Sequence, residues 1–279
     1  MSDLQFPTIE GVRCAVHDGG PRSGEAVVFV HGNPGAIDDW AALLPAIEGF
    51  SRVVAMDMPG YGRAERPRDF DYTVRGYARY LGRLLDHLSV ERAHLVLHDF
   101  GGPWGLRWML DHPRRVASLS LIDSGLMPGY RWHRYARIWQ TPVLGEIFQL
   151  LATPGVLRAS LNRDNPRPLP RGFTDRVAAF SDWGHKRAVL RLYRASRQVA
   201  AIFPEAARTP VDATLPVCVL WGERDPYLPV RYAQLQREFF PQAEVHVLPG
   251  LGHWPFVEAP EAILAPLQAF LRRRRGLYP

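Results

Sequence analysis

One stretch decides the fold: Leu95-Val96-Leu97-His98-Asp99-Phe100-Gly101-Gly102-Pro103-Trp104-Gly105. Its apolar start is typical of a buried strand, and the run ends abruptly on the charged Asp99. A glycine-rich segment then opens into the apolar-periodic stretch 106–110, which predicts a helix. We therefore expect a strand, a sharp turn and a helix, with Asp99 at the apex of the turn.

Such a turn would hold Asp99 at the carboxyl edge of a sheet and above a helix N-terminus. Small residues must follow the apex so that the backbone can turn tightly, and Gly101 provides that room. The small residue usual two positions before the apex of a nucleophile elbow is replaced by Leu97. An ordinary strand-to-helix turn capped by an aspartate is therefore still open at this point.

Strand and helix patterns alternate through the first 122 residues. The apolar runs predict an edge strand over 12–17 and buried strands over 26–30, 53–56 and 116–122. Between them, helical spacing predicts helices over 38–47 and 73–88, the second with Thr73 as its N-cap. This alternation predicts a mostly parallel sheet with helices on both faces.

The alternation breaks between about Ser124 and Thr214. Helical stretches follow one another there, separated by proline-rich joints: helices over 134–151, 173–179 and 186–200, and joints around Pro154, 166–170 and Pro204. The sheet pattern resumes at 217–221 and 244–248, and a last helix is expected over 260–274. We therefore predict an α/β core domain formed by 1–123 and 215–279, with a helical cap, 124–214, inserted after the sixth strand.

Composition indicates an ordinary globular protein, with 47% hydrophobic and 22% charged residues. The net charge of +6 comes from arginines that look scattered, apart from the run 272–275 at the end of a predicted helix. We therefore expect neither nucleic acid nor a membrane as a partner. No apolar run approaches the ~18 residues of a membrane span, and 1–11 does not look like a signal peptide, so the expected location is cytoplasmic. Cys14 and Cys218 are expected to be free buried thiols.

Two further signals follow the two late strands: Trp221-Gly222-Glu223-Arg224-Asp225-Pro226 and Gly250-Leu251-Gly252-His253-Trp254-Pro255. Together with Asp99 they give the order nucleophile, acid, base, each after its own strand. On these residues and on His31-Gly32-Asn33-Pro34, the chain resembles the α/β-hydrolase superfamily. The aspartate at the elbow makes it similar to the branch that contains epoxide hydrolases and haloalkane dehalogenases.

The resemblance implies a two-step reaction. Asp99 would attack a saturated carbon and form an alkyl ester, which water activated by His253 would hydrolyse. Asp225 would orient His253, and Asp123, after the strand that follows the elbow, is the alternative acid. The backbone N–H groups of Asn33 and Phe100 would form an oxyanion hole, typically worth ~3 kcal/mol per donor.

The two activities of this branch differ in how the leaving group is held. Epoxide hydrolases of this type use tyrosine hydroxyls from the cap, and Tyr193 matches one such position, with Tyr130 or Tyr135 as candidate partners. Dehalogenases use N–H donors, of which Asn33 is one candidate, but Phe100 stands where a tryptophan is usual. Epoxide hydrolysis is therefore the favoured prediction.

The alternatives are a haloalkane dehalogenase with the same triad and a non-catalytic binder of a small apolar ligand. The predicted substrate pocket is lined by His31, Pro34, Trp132, Trp139 and Trp254. The ten histidines show no metal-ligand spacing. We expect a small apolar substrate (an epoxide or a haloalkane), no cofactor, no metal, and a monomer or homodimer.

Overall fold

A computed structural model describes residues 4–197, 212, 214–274 and 276 of the 279-residue chain. The strands of these residues are β1 (Thr8–Ile9), β2 (Val12–Arg13), β3 (Val16–Gly19), β4 (Glu25–Val30), β5 (Arg52–Met56), β6 (Arg92–His98), β7 (Val116–Ile122), β8 (Val217–Gly222) and β9 (Glu244–Leu248). β1 and β2 pair as a small hairpin, and the other seven form one sheet in the order β3-β5-β4-β6-β7-β8-β9. β3 pairs antiparallel with β5, and the remaining pairs of this sheet are parallel.

The central strands of the sheet are buried on both faces, as expected for a parallel sheet with helices on either side. In β4, Val28 and Val30 belong to the hydrophobic cluster on one face, and Val27 and Phe29 belong to the cluster on the other. All four side chains are fully buried. This two-sided burial explains why β4 and β6 are continuous apolar runs and do not alternate with polar residues.

The winding direction reverses between β4 and β6, because β5 lies on one side of β4 and β6 on the other. Loops at the carboxyl ends of two such strands diverge and leave a crevice, where ligands of open α/β sheets bind. Asn33 follows β4 and Asp99 follows β6. The topology therefore brings these two predicted site residues to the same crevice.

The helices are α1 (Leu44–Glu48), α2 (Val74–His87), α3 (Gly101–Asp111), α4 (Arg134–Gln140), α5 (Leu144–Leu151), α6 (Pro154–Asp164), α7 (Arg171–Phe180), α8 (Trp183–Ala195), α9 (Arg231–Phe239), α10 (Pro255–Glu258) and α11 (Pro260–Arg274). Two 3₁₀ helices are present as well, Ile37–Trp40 and Pro113–Arg115. Thr73 caps α2 as expected, since its hydroxyl accepts a hydrogen bond of 3.0 Å from the Gly76 N–H. No helix in these ranges is both long and apolar enough to cross a membrane.

Helices α4 to α8 follow one another without an intervening strand, and we call the described residues of this region, 124–197, the cap. They follow β7, which is the seventh strand in chain order and the fifth of the seven-stranded sheet, whereas the sequence placed the insertion after the sixth strand. The end of the predicted helix over 186–200 and the joint at Pro204 lie outside the described residues.

Several predicted boundaries change in the structure. The expected helix over 134–151 is two helices, because Pro142 cannot donate a helical hydrogen bond and Val143 has a φ of 68°. Pro154 begins α6 instead of separating helices, with the Thr153 hydroxyl as its cap. The expected helix over 38–47 divides into a 3₁₀ helix and α1, the strand over 12–17 divides into β2 and β3, and α9 was not predicted.

Candidate active site

Asp99 occupies the sharp turn between β6 and α3. Its φ of 48° lies in the left-handed region, which costs a non-glycine residue conformational energy. The turn is held by two hydrogen bonds to the Asp99 carbonyl, from the Gly102 N–H (2.9 Å) and the Ser124 hydroxyl (2.7 Å). A Cβ at Gly101 would lie 2.2 Å from the Val30 carbonyl oxygen, so the close approach of α3 to β4 requires glycine there.

Leu97, the large residue two positions before the apex, is accommodated by a glycine on α3. A Cβ at Gly105 would lie 2.5 Å from Leu97 Cδ2, so the Leu97 side chain occupies the space that a larger residue at 105 would fill. The small residue expected on the strand is thus replaced by a small residue on the helix that packs against it.

The two oxygens of the Asp99 carboxylate have different surroundings. Oδ1 accepts a hydrogen bond of 2.7 Å from the Asn33 N–H, and Oδ2 lies 3.6 Å from His253 Nε2. Burial alone would raise the pKa of Asp99, but the hydrogen bond and positive charge of His253 and the Asn33 N–H lower it to about 2. Asp99 is therefore an anion at neutral pH. Its Oδ1 is bonded to the Asn33 N–H, and in the described part of the chain its Oδ2 has no hydrogen bond to a backbone N–H.

His253 lies between two carboxylates. Its Nδ1 donates to Asp225 Oδ2 at 2.7 Å, while Asp225 Oδ1 accepts from the N–H groups of Tyr227 (2.7 Å) and Leu228 (2.9 Å). Burial would lower the pKa of His253, but Asp225 and then Asp99 outweigh it and raise the pKa well above its usual value. His98 supports the base from behind, because its Nε2 donates to the His253 carbonyl at 2.8 Å.

Asp123, the alternative acid, is fully buried at the end of β7. Its Oδ1 accepts from the Gly222 N–H at 2.8 Å, whereas the carboxylate bonded to His253 Nδ1 is that of Asp225. Burial and the negative charge of Asp225 raise the pKa of Asp123 well above its usual value. Asp123 therefore lies next to His253 and Asp225 but is not the carboxylate that is bonded to the histidine ring.

The Asn33 N–H is bonded to Asp99 Oδ1, and α3 begins two residues after Asp99. Phe100 is the N-cap of α3, and the first N–H groups of a helix lack partners within it. The Asn33 N–H thus already bonds Oδ1, and the role of the Phe100 N–H in an oxyanion hole stays a prediction.

A cavity of about 100 Å³ opens above Asp99 between the core and the cap. Its wall is mostly apolar and includes the predicted residues Asn33, Pro34, Asp99, Tyr135, Trp139, Tyr193, His253 and Trp254. Tyr227 also lines it and was not predicted; its ring centroid lies 5.1 Å from that of His253.

Two predicted pocket residues lie elsewhere. His31 is fully buried beneath the site, where its Nδ1 donates to the Gly32 carbonyl (2.8 Å) and its Nε2 accepts from the Met58 N–H (3.0 Å). Burial lowers the pKa of His31 to about 4, so it is a neutral residue that holds the loop and does not line the pocket. Trp132 stacks on Phe100 and lines a separate cavity of about 20 Å³ beside Asp99.

The three candidate tyrosines have different roles. The Tyr193 hydroxyl lies in the main cavity and accepts from Asn33 Nδ2 at 3.3 Å, which leaves its proton free to be donated. The Tyr130 hydroxyl instead donates to the Tyr227 carbonyl at 3.1 Å, and that of Tyr135 donates to Asp164 Oδ2 at 2.5 Å. Neither Tyr130 nor Tyr135 therefore has a free hydroxyl donor, which corrects the expectation of a tyrosine partner.

His133 is a cavity residue with a candidate N–H donor that the sequence did not identify. Its Nδ1 accepts the Ala136 N–H at 3.3 Å as the cap of α4, so the neutral ring carries its proton on Nε2. Burial lowers the pKa of His133 to about 4, which keeps it neutral, and the ring lines the cavity 6.1 Å from that of Tyr193. Its place beside Trp132 at the start of the cap was the available signal, but a lone histidine among aromatics is more often a packing residue.

The chain is similar to known proteins in both sequence and structure. A family model described as alpha/beta hydrolase fold matches residues 25–260. A cis-3-alkyl-4-alkyloxetan-2-one decarboxylase from Xanthomonas campestris is 27% identical, covering 94% of this chain and 93% of that protein. A haloalkane dehalogenase from Mesorhizobium japonicum is 33% identical over 58% of this chain and 50% of its own length. The structure of haloalkane dehalogenase DbeA from Bradyrhizobium elkani has the same fold, with a TM-score of 0.85 at 22% identity over 99% of each chain.

Proposed function

The chain belongs to the alpha/beta hydrolase fold family, and from this premise we propose that it converts epoxides to vicinal diols through an ester on Asp99. One observation carries the proposal. The free oxygen of an ionised Asp99 lies in an apolar cavity where Tyr193 and His133 each have a proton to donate. This is the combination that a strained cyclic ether needs, because its oxygen leaves poorly unless it is protonated.

In the first step, Asp99 Oδ2 forms a bond to a ring carbon and the carbon–oxygen bond of the epoxide breaks. The released oxygen takes a proton from Tyr193 or His133. That donor regains its proton from His253, which gives it up because the esterified Asp99 has lost the negative charge that helped to raise the His253 pKa. The ester therefore converts His253 from an acid into a base.

In the second step, neutral His253 takes a proton from water, and the hydroxide adds to the Asp99 carbonyl carbon. The Asn33 N–H, 2.7 Å from Asp99 Oδ1, and the Phe100 N–H hold the oxyanion. When the intermediate collapses, His253 protonates the departing alkoxide and the diol leaves. The Asp99 carboxylic acid then returns its proton to His253, which restores the resting ion pair.

Haloalkane dehalogenation is a second candidate, since a dehalogenase is among the relatives. A halide needs N–H donors, and Trp139 Nε1 is buried without a hydrogen-bond partner among the described residues. Its ring lies 4.7 Å from that of Tyr193, on the wall of the same cavity. Against this candidate, Phe100 has no side-chain N–H, and Asn33 Nδ2 is bonded to the Tyr193 oxygen.

The proposal is tested by incubating the protein with terminal and aryl epoxides, with bromo- and chloroalkanes, and with a cis-dialkyl oxetan-2-one. The last is included because a relative is named for that substrate. We expect diol formation without halide release, and no product with Asp99→Asn. Halide release without diol, or loss of carbon dioxide from the oxetanone as the dominant reaction, would overturn the epoxide assignment.

Variants of the two donors separate their roles. Tyr193→Phe and His133→Gln should each lower kcat with epoxides about 10²-fold or more, since each removes a proton donor to the leaving oxygen. Tyr135→Phe is the matched control, because the Tyr135 hydroxyl is bonded to Asp164 although its ring lines the same cavity. Equal losses in all three variants would contradict the assignment of donors.

A further inference from the structure

The cap exposes an apolar surface on the outside of the molecule. Of nine large hydrophobic residues that are exposed in the described chain, seven lie between 143 and 183. We call these seven the cap face: Val143, Leu144, Ile147, Leu150, Leu151, Val156 and Trp183. Leu150 and Leu151 are 61% and 64% exposed, which is unusual for two adjacent leucines of a soluble helix.

Helix α5 has apolar residues both on the side that lines the cavity and on its exposed side. Phe148 and Ala152 at its inner side line the cavity above Asp99, while Ile147 and Leu151 face solvent. A helix that only had to cover the cavity would be polar on its outer side. The outer leucines therefore need a reason other than packing of the cap.

The cap face is continuous from α5 to α8. Lys186 on α8 donates to the carbonyls of Gln149 (2.8 Å) and Ala152 (3.0 Å) at the end of α5. The same ammonium group lies 5.1 Å from the centre of the exposed Trp183 ring. A tryptophan beside a lysine is a combination that favours the boundary between an apolar phase and water.

The cap also concentrates the positive charge of the chain. Residues 124–197 contain thirteen Arg and Lys and four Asp and Glu, a net charge of +9, so the rest of the +6 chain carries −3. Each of the four acids is in an ion pair: Glu146 with Arg194, Asp164 with Arg134, Asp175 with Arg158 and Asp182 with Arg66. The arginines that look scattered along the sequence thus make the cap, which carries the cap face, the basic part of the chain.

We propose that the cap face docks on an anionic lipid surface. Exposed leucines and Trp183 would enter the boundary of the acyl chains, while the basic cap would be attracted to the headgroups. A second copy of this chain fits less well, because pairing two cap faces would bring two surfaces of +9 together. The proposal departs from the expectation of no membrane partner, and it does not depend on which reaction Asp99 performs.

The cavity above Asp99 lies next to the cap face, so binding to lipid would bring the cavity close to the membrane. Val156 is 47% exposed as part of the cap face and also lines the cavity, so the cavity wall and the cap face meet at this residue. An apolar substrate dissolved in the lipid could enter the site without crossing water.

The test is flotation with vesicles of phosphatidylcholine alone or mixed with about one-third phosphatidylglycerol. We expect binding to the mixed vesicles that weakens at high salt, and weak or no binding to phosphatidylcholine. The double variant Leu150→Gln/Leu151→Gln keeps the charge and removes two exposed side chains, and it should bind about ten-fold more weakly or worse. Val247→Gln, at an exposed apolar residue of β9, is the matched control and should bind like the parent chain.

Three results would overturn the proposal. The first is no binding to the mixed vesicles, and the second is binding that the double variant leaves unchanged. The third is a dimer in analytical ultracentrifugation that the double variant dissociates, since that would assign the cap face to a second copy.

Discussion

At the scale of single residues, two buried aspartates lie close to His253, and their hydrogen-bond partners differ. Asp225 is bonded to His253 Nδ1 at 2.7 Å and receives two backbone N–H groups, which suit an anion. The pKa of Asp123 is raised by burial and by the charge of Asp225, which suits a neutral acid. Because an amide resembles a neutral acid more than it resembles a carboxylate, asparagine substitutions can distinguish them.

Asp225→Asn should lower kcat about a thousand-fold, because His253 loses the anion that orients it and raises its pKa. Asp123→Asn should retain activity within about ten-fold, since its Oδ1 already acts only as an acceptor from Gly222. Steady-state kinetics of the two variants, with circular dichroism as a check of folding, measure the difference. A larger loss for Asp123→Asn would assign the acid to β7 instead.

The sequence predicts the core residues of the site better than those of the cap. Asn33, Asp99, Asp225 and His253 each follow a strand, and the topology of a parallel sheet fixes where such residues meet. The donors on the cap have no such rule, because a helical insertion can be oriented in many ways. Spacing alone therefore could not show that the Tyr130 hydroxyl is bonded to the Tyr227 carbonyl.

At the scale of elements, the packing of β6 against α3 depends on the pair Leu97 and Gly105. Gly105→Ala should destabilise the protein by about 1–3 kcal/mol, because its Cβ would lie 2.5 Å from Leu97 Cδ2 in a buried position. Gly172→Ala on α7 is the matched control, as a Cβ there meets nothing within 4 Å. Urea denaturation measures both changes.

A double-mutant cycle makes this prediction specific. In a Leu97→Ala background the clash is absent, so Gly105→Ala should cost much less than it does in the parent chain. An equal cost in both backgrounds would mean that the glycine is needed for the backbone of α3 and not for the side chain of Leu97.

The cap helix α7 is tied to the core by a buried ion pair, in which Arg176 Nη2 lies 2.6 Å from Asp39 Oδ1. Burial raises the pKa of Asp39 to about 6, although Arg176 opposes the shift. Because the native pKa is raised, Asp39 itself favours the native state at low pH, and this contribution is lost as the pH rises through about 6. Above that pH the carboxylate depends on Arg176.

Arg176→Gln should therefore destabilise the protein by about 1–3 kcal/mol at pH 8 and by much less at pH 5, where Asp39 is protonated. Thermal unfolding at the two pH values measures the effect. Arg171→Gln, on the same helix with a 91% exposed side chain, should change neither midpoint. A loss for Arg176→Gln that is equal at both pH values would show that the guanidinium acts through packing and not through charge.

Element boundaries show where local sequence patterns stop being informative. Strands β4 to β8 lie close to their apolar runs, because burial on both faces leaves a clear signal. In the cap, Pro142 ends one helix and Pro154 begins another, and a proline has the same appearance in both roles. Only the hydroxyl of Thr153, placed to cap α6, distinguishes the second case.

At the scale of the whole molecule, the chain divides its properties between two layers. The loops that follow the strands supply the proposed nucleophile, acid, base and oxyanion donors, and the cap supplies both proposed proton donors, most of the cavity wall and the positive charge. Net charge read over the complete sequence hides this division, because a cap of +9 and a remainder of −3 sum to a modest +6. Charge counted for each predicted segment would have found it.

The central claim is that Asp99 is alkylated and that His253 then releases the ester. We would incubate His253→Gln with an epoxide that the parent chain converts, and measure the intact mass and a peptide map. The account predicts an adduct with the mass of the epoxide on Asp99, which is absent in Asp99→Asn/His253→Gln. An unmodified Asp99, or an adduct on any other residue, would contradict it.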